Sequence, residues 1–369
     1  MDMVLSILTA IGVMTALSGG LALLMVIADA TIGRYGPCRI RINDSRDLEV
    51  EGGQSLLSTL KNEQIFIPSA CGGRGSCGLC KVEVLSGAGA ILPTELPWLT
   101  PDEQKRQIRL SCQVRVKRDL SIRIPEELFN VHQYQARVAG LRDLTYDIKE
   151  VRLQLLDPPA IDFKPGQYIQ FEVPAYELTD EPIYRAYSVA SGPDQHGEVE
   201  LEIRYVPNGI CTTYVHQHLK VGNTATINGP YGDFFLRDTN RDILFIAGGS
   251  GMAPIKSILS DMVHTKNPRR TRYCFGAKAI RDLFLVDEMR AIEKQLPDFK
   301  FIPCLSAPDT ADVWNGERGL VTEVVDRTVT NLDNLEAYLC GSPLMIDACV
   351  ALLKKKGLPE DRIFYDKFA

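Results

Sequence analysis

Apolar and polar residues alternate with a different period in successive parts of the chain. Met3 to Ala28 forms one uncharged run. Segments such as "CRIRIND" and "KVEVLSG" then alternate, and "SLLSTLKNEQ" has helical spacing, which predicts a small α+β unit up to about residue 125. From about 132 to 237, short alternating segments such as "QYIQFEV" recur at regular intervals, a pattern typical of an antiparallel β-barrel.

Beyond residue 240, apolar strands such as "DILFIA" and "LEAYLC" are separated by helical stretches, which predicts an α/β parallel sheet. Within the α+β unit, "TPDEQ" predicts a helix start with Thr100 as N-cap and Glu103 at the third helical position. The chain of 369 residues is therefore expected to be multidomain. The predicted domains are 1–30, 36–127, 130–237 and 238–369.

The run Met3 to Ala28 predicts a single transmembrane helix, because 26 residues at about 1.5 Å each can cross a hydrocarbon core of about 30 Å. Arginines follow the run and Asp2 precedes it, so the carboxyl-terminal domains are expected on the cytoplasmic side. A cleaved signal peptide ending near "ADA" at 28–30 is an alternative, disfavoured because no Lys or Arg precedes the run. A third interpretation is a helix buried in the core of a soluble protein.

The charge balance and the cysteine content narrow the chemistry. A net charge of −6 gives no electrostatic reason to expect a nucleic-acid partner. Ten cysteines in 369 residues are too few for a disulfide scaffold. Three of them fall within "CGGRGSCGLC", residues 71–80, whose tight spacing favours a metal site in a reducing compartment.

This cysteine motif predicts a two-iron, two-sulfide cluster, which needs four thiolates. Cys71, Cys77 and Cys80 can supply three from one glycine-rich loop, whose amides would point at the sulfurs. Cys112 is the nearest later cysteine and the candidate for the fourth ligand, although spacing alone does not settle that choice. A zinc site and a disulfide loop are the alternatives. Most of the other cysteines lie in apolar sequence and are expected to be buried.

Two later segments have the features of a flavin site. In "RAYS", Arg185 can pair with a phosphate, Tyr187 can stack on a flavin, and the hydroxyl of Ser188 can reach a ring nitrogen. In "GICTTYVHQHL", the helix start would favour a pyrophosphate. The residues of that start are Gly209, Thr212 and Thr213. Taken alone, "RAYS" also fits an ordinary strand.

A glycine turn follows the first strand of the predicted parallel sheet. In "GGSGMAP", Gly248, Gly249 and Gly251 separate that strand from a helix, which lets the phosphates of a dinucleotide approach the backbone. The turn lacks the full G-x-G-x-x-G pattern and is weak evidence by itself. "CGSPLM" also follows a strand and could place Cys340 beside a nicotinamide, or be a simple strand-end turn.

Together "RAYS", "GGSGMAP" and "CGSP" resemble the flavin, nicotinamide and hydride-transfer motifs of the ferredoxin–NADP reductase superfamily, here fused to an amino-terminal two-iron ferredoxin of the β-grasp fold. Within that superfamily the chain is most similar to the F subunits of sodium-translocating NADH:quinone reductases. Longer stretches that carry this similarity are "SACGGRGSCGLCKVEVLSGAG", "ILPTELPWLT", "GPYGDFF" and "DKFA". In one departure, the chain runs through "TDEPIY" before "RAYS", where that family has a long insertion.

The resemblance implies an NADH-oxidising, single-pass protein of the bacterial inner membrane, with FAD and a 2Fe-2S cluster and with integral-membrane subunits as partners. It implies that the cluster ligands are Cys71, Cys77, Cys80 and Cys112. It also implies that Phe368 covers the flavin and that Ser188 and Cys340 act at hydride transfer. The expected alternatives are the reductase component of an oxygenase, a reductase of another membrane redox complex, an iron–sulfur sensor and a reductive activator of another metalloenzyme.

Overall fold

The computed structural model divides the protein into two compact units. The residues that it describes are 2–32, 35–69, 71–308 and 313–368, with the backbone alone for 2–10 and 27–32. The first unit comprises residues 1–68 and 73–130, and the second comprises 69–72 and 131–369.

The first helix, α1, runs from Asp2 to Ile32. Its described side chains include large apolar residues that are mostly exposed, such as Leu17 at 67% and Leu24 at 65%. Across the described ranges, no helix combines the length and the apolar content that a membrane span requires. The predicted span 3–28 lies partly outside the residues whose side chains are described.

The rest of the first unit is a mixed five-stranded sheet with strand order β2-β1-β5-β3-β4. Its strands are β1 (Pro37–Ile42), β2 (Arg46–Glu51), β3 (Lys81–Ser86), β4 (Ile108–Leu110) and β5 (Leu120–Arg123). Two short helices, α2 (Leu56–Asn62) and α3 (Pro101–Lys105), complete this α+β unit. Alternate residues of β1 are buried, as the sequence pattern predicts. Thr100 and Glu103 form the predicted capping box of α3, in which each side chain bonds the backbone of the other.

The second unit begins with a six-stranded antiparallel sheet of order β10-β7-β6-β11-β8-β9. Its strands are β6 (His132–Asp143), β7 (Ile148–Asp157), β8 (Tyr168–Val173), β9 (Ile183–Ser188), β10 (Glu198–Arg204) and β11 (Thr224–Tyr231). A bridge between Val189, just after β9, and Leu201 of β10 brings the two edge strands together and closes the predicted barrel. A short helix, α4 (Ile210–Thr213), continues into a π-helical segment, Tyr214–His218, beside the barrel core.

A six-stranded parallel sheet of order β15-β14-β13-β12-β16-β17 forms the rest of this unit, as predicted. Its strands are β12 (Asp242–Gly248), β13 (Thr271–Ala277), β14 (Phe299–Leu305), β15 (Glu317–Arg318), β16 (Leu335–Gly341) and β17 (Ile363–Lys367). Its helices are α5 (Met252–His264), α6 (Val286–Glu293), α7 (Val321–Thr328) and α8 (Pro343–Lys355). The apolar strands are buried on both faces, so a ligand is expected at their carboxyl ends.

A buried carboxyl group lies where the barrel packs on the parallel sheet. Glu202 of β10 is only 4% exposed, and neither of its carboxyl oxygens has a hydrogen-bond partner among the described residues. The neighbouring Lys256 of α5 pairs with Glu200 instead. Burial raises the pKa of Glu202 well above its ordinary value of 4.5. The positive charge of Lys256 opposes this shift, whereas repulsion from Glu200, Glu150 and Glu288 adds to it. The folded chain therefore favours the protonated form of this carboxyl.

We predict that Glu202→Gln removes part of the pH dependence of stability. Above about pH 4.5 the unfolded chain releases the Glu202 proton while the folded chain retains it, so wild-type stability falls as pH rises, by up to about 1.4 kcal/mol per pH unit. Gln imitates the protonated carboxyl and cannot ionise. Melting temperatures of the full chain between pH 5 and 8 should therefore fall less steeply in the variant.

The matched control is Glu198→Gln, which alters an exposed carboxyl on the same strand. Its melting temperatures should follow the wild-type slope. Equal slopes for wild type and Glu202→Gln would show that Glu202 ionises equally in the folded and unfolded chains.

Candidate functional site

The cysteine loop has a backbone that requires its glycines. Gly72, Gly73, Gly75 and Gly78 have φ of 65°, 86°, 75° and 69°, in the left-handed region that side chains disfavour. A Cβ on Gly78 would also lie 2.9 Å from the ring of Trp98. The loop therefore has a backbone path that only glycines adopt without strain at these positions.

The structure brings together two of the four predicted ligands. The Cys80 and Cys112 thiols are hydrogen-bonded, and this bond, followed by burial, raises the pKa of Cys80. Cys80 is buried, whereas Cys112 and Cys77 are half-buried. Cys71, also half-buried, belongs to residues 69–72, which group with the second compact unit. In the described part of the chain, no group of three or more His, Cys, Asp or Glu residues is arranged to hold a metal ion.

The surroundings of these two sulfurs nevertheless fit an iron–sulfur group. The buried hydroxyl of Ser111 has no hydrogen-bond partner among the described residues. The side-chain Nε2 of Gln113 donates to Cys112 Sγ at 3.7 Å. Soft thiol ligands with polar donors beside them are the environment that a cluster with negatively charged sulfur atoms requires.

A buried ion pair fixes the strand that leads to Cys112. Arg109 and Glu95 are 2% and 0% exposed, and Arg109 Nη2 donates to Glu95 Oε2 at 2.6 Å. Glu95 also accepts from the backbone N–H groups of Leu92 and Leu110, each at 2.9 Å. The hydrogen bonds that the Glu95 carboxylate accepts thus come from the segment before Trp98 and from the end of β4.

The predicted flavin residues lie on β9, at the edge of the barrel. Arg185 and Tyr187 are half-buried, whereas Ser188 is buried. Arg185 Nη1 donates to the carbonyl of Tyr184 at 2.8 Å. Burial raises the pKa of Tyr187, so its phenol stays neutral. The strand thus presents a cation, an aromatic ring and a hydroxyl within four consecutive residues.

Of the predicted pyrophosphate residues, Gly209 is the N-cap of α4, and Thr212 and Thr213 lie within this short helix. A Cβ on Gly209 would lie 2.6 Å from Thr212 Oγ1, so this position has no room for a side chain. Thr212 Oγ1 accepts from the N–H of Val206 at 3.1 Å, and Thr213 is buried. The hydroxyl of Thr212 therefore also holds the preceding turn closed.

The glycine turn after β12 packs directly on the neighbouring strand β16. A Cβ on Gly251 would lie 2.3 Å from the carbonyl oxygen of Cys340, a backbone atom that cannot rotate away. A Cβ on Gly248 would lie 3.1 Å from Met345 Sδ, and Gly249 has φ of 57°. The turn therefore brings the start of α5 close to the carboxyl ends of β12 and β16, where dinucleotides bind in such sheets.

Cys340 itself is fully buried among the side chains of the core. Burial, and then the nearby Asp366, raise the pKa of its thiol well above the ordinary value, so the thiol is neutral. Asp366 lies opposite Cys340 in the β16–β17 register, and burial raises the pKa of this carboxyl to about 6. Phe368 packs on the same core, and its N–H donates to Gly341 O at 2.9 Å.

The structure adds three residues that the sequence did not single out. Asp366 lies in "DKFA", two residues before Phe368. An acidic residue so near that aromatic residue was a visible signal in the sequence. Gly341 has φ of 142° and lies against Gly248, as its place after a strand in "CGSP" could have suggested. Arg204 Nη1 lies 3.2 Å from the position that a Cβ on Gly249 would occupy. No local sequence pattern reveals this proximity.

Models of three protein families match the chain in the predicted order. They are the 2Fe-2S iron-sulfur cluster binding domain over residues 40–117, the oxidoreductase FAD-binding domain over 135–236 and the oxidoreductase NAD-binding domain over 245–351. These matches confirm the predicted cofactors: a 2Fe-2S cluster, FAD and NADH.

Solved structures with the same fold include oxygenase reductases. The Amycolatopsis cytochrome P450 reductase GcoB is 27% identical with a TM-score of 0.73, and it covers 90% of this chain and 98% of its own. A ferredoxin reductase in carbazole 1,9a-dioxygenase is 29% identical with a TM-score of 0.69 and the same coverage. The chain thus has a ferredoxin-reductase-like fold.

Curated relatives match over nearly the whole chain. The F subunit of the Na(+)-translocating NADH-quinone reductase of Neisseria meningitidis is 36% identical over 390 residues, 94% of this chain and 96% of the relative. Those of Methylococcus capsulatus and Pseudomonas aeruginosa are 34% and 33% identical and cover 99% and 98% of both chains. The chain belongs to the family of the F subunits of the Na(+)-translocating NADH-quinone reductases.

Proposed function

We propose that the protein is the NADH-oxidising subunit of a membrane respiratory complex of the sodium-translocating NADH:quinone reductase type. It passes electrons from NADH through FAD and a 2Fe-2S cluster to a membrane-embedded partner. The observation that carries this function is the order of three cofactor domains in one chain that matches the F subunits over its length. We assign the domains as 1–30, 36–127, 130–237 and 238–369.

The chain contributes to this reaction by placing its groups. When bound, NADH supplies a hydride, FAD converts the electron pair into single electrons, and the cluster carries them one at a time. In our assignment Arg185 pairs with a flavin phosphate, Tyr187 stacks on the flavin and Ser188 hydrogen-bonds its ring. Gly209, Thr212 and Thr213 border the flavin pyrophosphate. This set is supported by the place of Arg185 and Tyr187 on one strand, where both are only half-buried, and by the lack of room for a side chain at Gly209.

The glycine turn Gly248, Gly249 and Gly251 admits the NADH phosphates to the start of α5. We assign Cys340 and Phe368 to the edge of the nicotinamide site, because both lie at the carboxyl ends of parallel strands. With its thiol buried and neutral, Cys340 contributes shape and its backbone carbonyl rather than a nucleophile.

We predict that Gly251→Ala weakens NADH binding by roughly 5-fold to 150-fold, the range that corresponds to about 1–3 kcal/mol of overpacking. A methyl group at this position would overlap the carbonyl of Cys340 and push α5 away from β16. The measurement is the NADH-concentration dependence of flavin bleaching in a stopped-flow experiment.

Gly197→Ala is the control, because a Cβ there meets its neighbours only at ordinary contact distances of 3.5 and 3.6 Å. It should bleach like wild type. Wild-type NADH dependence in Gly251→Ala would place the nucleotide elsewhere.

The cluster ligands that we assign are Cys71, Cys77, Cys80 and Cys112. A two-iron cluster shares four thiolates between two irons. Cys80 and Cys112 are in contact, so both thiolates could hold one such cluster, together with Cys71 and Cys77 from the same loop as Cys80.

We predict that Cys112→Ala abolishes the 2Fe-2S cluster but leaves the reduction of FAD by NADH intact. The two reactions use separate domains, so loss of a thiolate ligand should not alter flavin bleaching. Iron content, cluster absorbance and bleaching by NADH are measured on the same preparation.

Cys38→Ala removes a buried thiol from the same unit outside the ligand set and should retain iron. A full complement of iron in Cys112→Ala would remove Cys112 from the set. Failure of NADH to bleach the wild-type flavin would instead contradict the proposed function.

We further propose that residues 3–28 form a single-pass anchor in the bacterial inner membrane, with the soluble domains in the cytoplasm. The continuity of α1 over 31 residues and the exposure of its described apolar side chains support this assignment. An anchor confines the protein to two dimensions beside its electron acceptor and so raises the effective concentration of that acceptor.

We expect the tagged full chain to remain in carbonate-washed membranes and to copurify with integral-membrane subunits, whereas a chain lacking residues 3–28 should be found in the soluble fraction. Release of the full chain would contradict the anchor.

Copurification with an oxygenase instead would support the alternative function, the reductase component of an oxygenase, which the similarity to oxygenase reductases favours. Membrane partners unrelated to a sodium pump would fit the short "TDEPIY" segment and a different redox complex.

A further inference from the structure

Ser111 lies directly opposite Cys80 in the sheet of the first unit. The antiparallel register of β3 and β4 pairs Lys81 with Leu110, so the next pair outward is Cys80 with Ser111. The N–H of Ser111 donates to the carbonyl of Cys80 at 2.8 Å, which confirms this pairing. Side chains of directly opposed residues share one face of the sheet, with Cβ atoms about 4.5–5.5 Å apart. The Ser111 hydroxyl therefore lies beside the Cys80 sulfur.

The backbone of Ser111 is satisfied, but its side chain is not. Its carbonyl accepts from the N–H of Leu57 at 3.1 Å. Ser111 is 0% exposed, and its Oγ makes no hydrogen bond with any residue that the structure describes. A buried polar group left unpaired costs about 1–3 kcal/mol, so such a group in a folded protein calls for a partner.

The Cys80 sulfur is the available hydrogen-bond acceptor for the Ser111 hydroxyl when it binds the cluster as a thiolate. A thiol is a weak acceptor, whereas a metal-bound thiolate carries negative charge and accepts strongly. Cys80 is itself only 1% exposed, so water competes little for this sulfur.

We propose that the Ser111 hydroxyl donates a hydrogen bond to the Cys80 ligand sulfur and thereby raises the reduction potential of the cluster. Reduction adds negative charge that is shared with the sulfurs, and a donor next to one of them stabilises the reduced form more than the oxidised form. This proposal rests on the ligand set of the proposed function. It assigns Ser111 a role in drawing electrons from the flavin toward the membrane acceptor.

Gln113, the residue on the other side of Cys112, has a related but different place. Its Nε2 donates to Cys112 Sγ at 3.7 Å, and its Oε1 accepts from Thr94 Oγ1 at 3.1 Å. This amide is half-buried and acts on a half-buried sulfur. A donor in partial contact with solvent can be replaced by water, so the fully buried Ser111 should have the larger effect.

The test is a redox titration of the cluster in the full-length holoprotein, followed by the EPR signal of the reduced cluster. In Ser111→Ala we expect the equilibrium constant for cluster reduction to fall roughly two- to tenfold, the range expected for one hydrogen bond. A tenfold fall equals a shift of about 59 mV to lower potential for a one-electron couple. Ser111→Thr keeps the hydroxyl and should titrate at a higher potential than Ser111→Val, which has the same shape without it.

Thr59→Val is the matched control, because it removes a buried hydroxyl of the same unit that is bonded to the Ser55 carbonyl. It should leave the midpoint unchanged. Equal midpoints for wild type and Ser111→Ala, or for the Thr and Val variants, would overturn the proposal while the ligand set stands. Absence of a cluster from the wild-type protein would instead overturn the ligand set.

If no Ser111 variant retains its cluster, the wild-type protein provides the test by resonance Raman spectroscopy. The iron–cysteine stretching frequencies should shift on exchange into D2O, because the donated proton is exchangeable. Unchanged frequencies would overturn the proposal.

Discussion

The proposed dinucleotide site depends on the close approach of two backbones, at Gly251 and the carbonyl of Cys340. No side chain fits between them, and this contact ties the start of α5 to the end of β16. Because β12 and β16 are neighbouring parallel strands, the contact lies at their carboxyl ends, where such sheets bind dinucleotides. Phe368 lies beside the same strand end, because its N–H donates to the carbonyl of Gly341. The site is therefore defined by backbone packing before any side chain contributes.

The contact of the barrel with the parallel sheet has a different physical basis. Here Lys256 pairs with Glu200 and with Glu288, which also pairs with Arg142, while the carboxyl of Glu202 stays buried without a hydrogen-bond partner among the described residues. An apolar residue in place of Glu202 would avoid that desolvation cost. The acidic cluster holds the helix that follows the glycine turn, because Lys256 lies on α5. Steric contact thus positions the first turn of α5, and ion pairs position the part of the helix that carries Lys256.

The features that the sequence predicted are those encoded by neighbouring residues. Alternation within β1, the capping box at Thr100 and the glycines of the cysteine loop depend on local geometry and were visible without the fold. Ser111 and Asp366 have their properties because strand register places them beside Cys80 and Cys340. Glu202 has its property because α5 packs on β10 and buries this carboxyl near Lys256. Cys340 illustrates the boundary between the two classes. Its place at a strand end was predictable, but the burial of its thiol depends on which face of the sheet it occupies.

The buried pair of Arg109 and Glu95 restricts how this part of the sequence can evolve. Either charge alone would be left unpaired in the core, at a cost of about 3–5 kcal/mol. Lysine cannot replace Arg109, because it lacks the planar fork that reaches both carboxylate oxygens and Gly89 O. The two positions can therefore change only together, by a paired replacement with apolar residues of similar volume. Positions 95 and 109 should accordingly covary among related proteins, although 13 residues separate them in the chain.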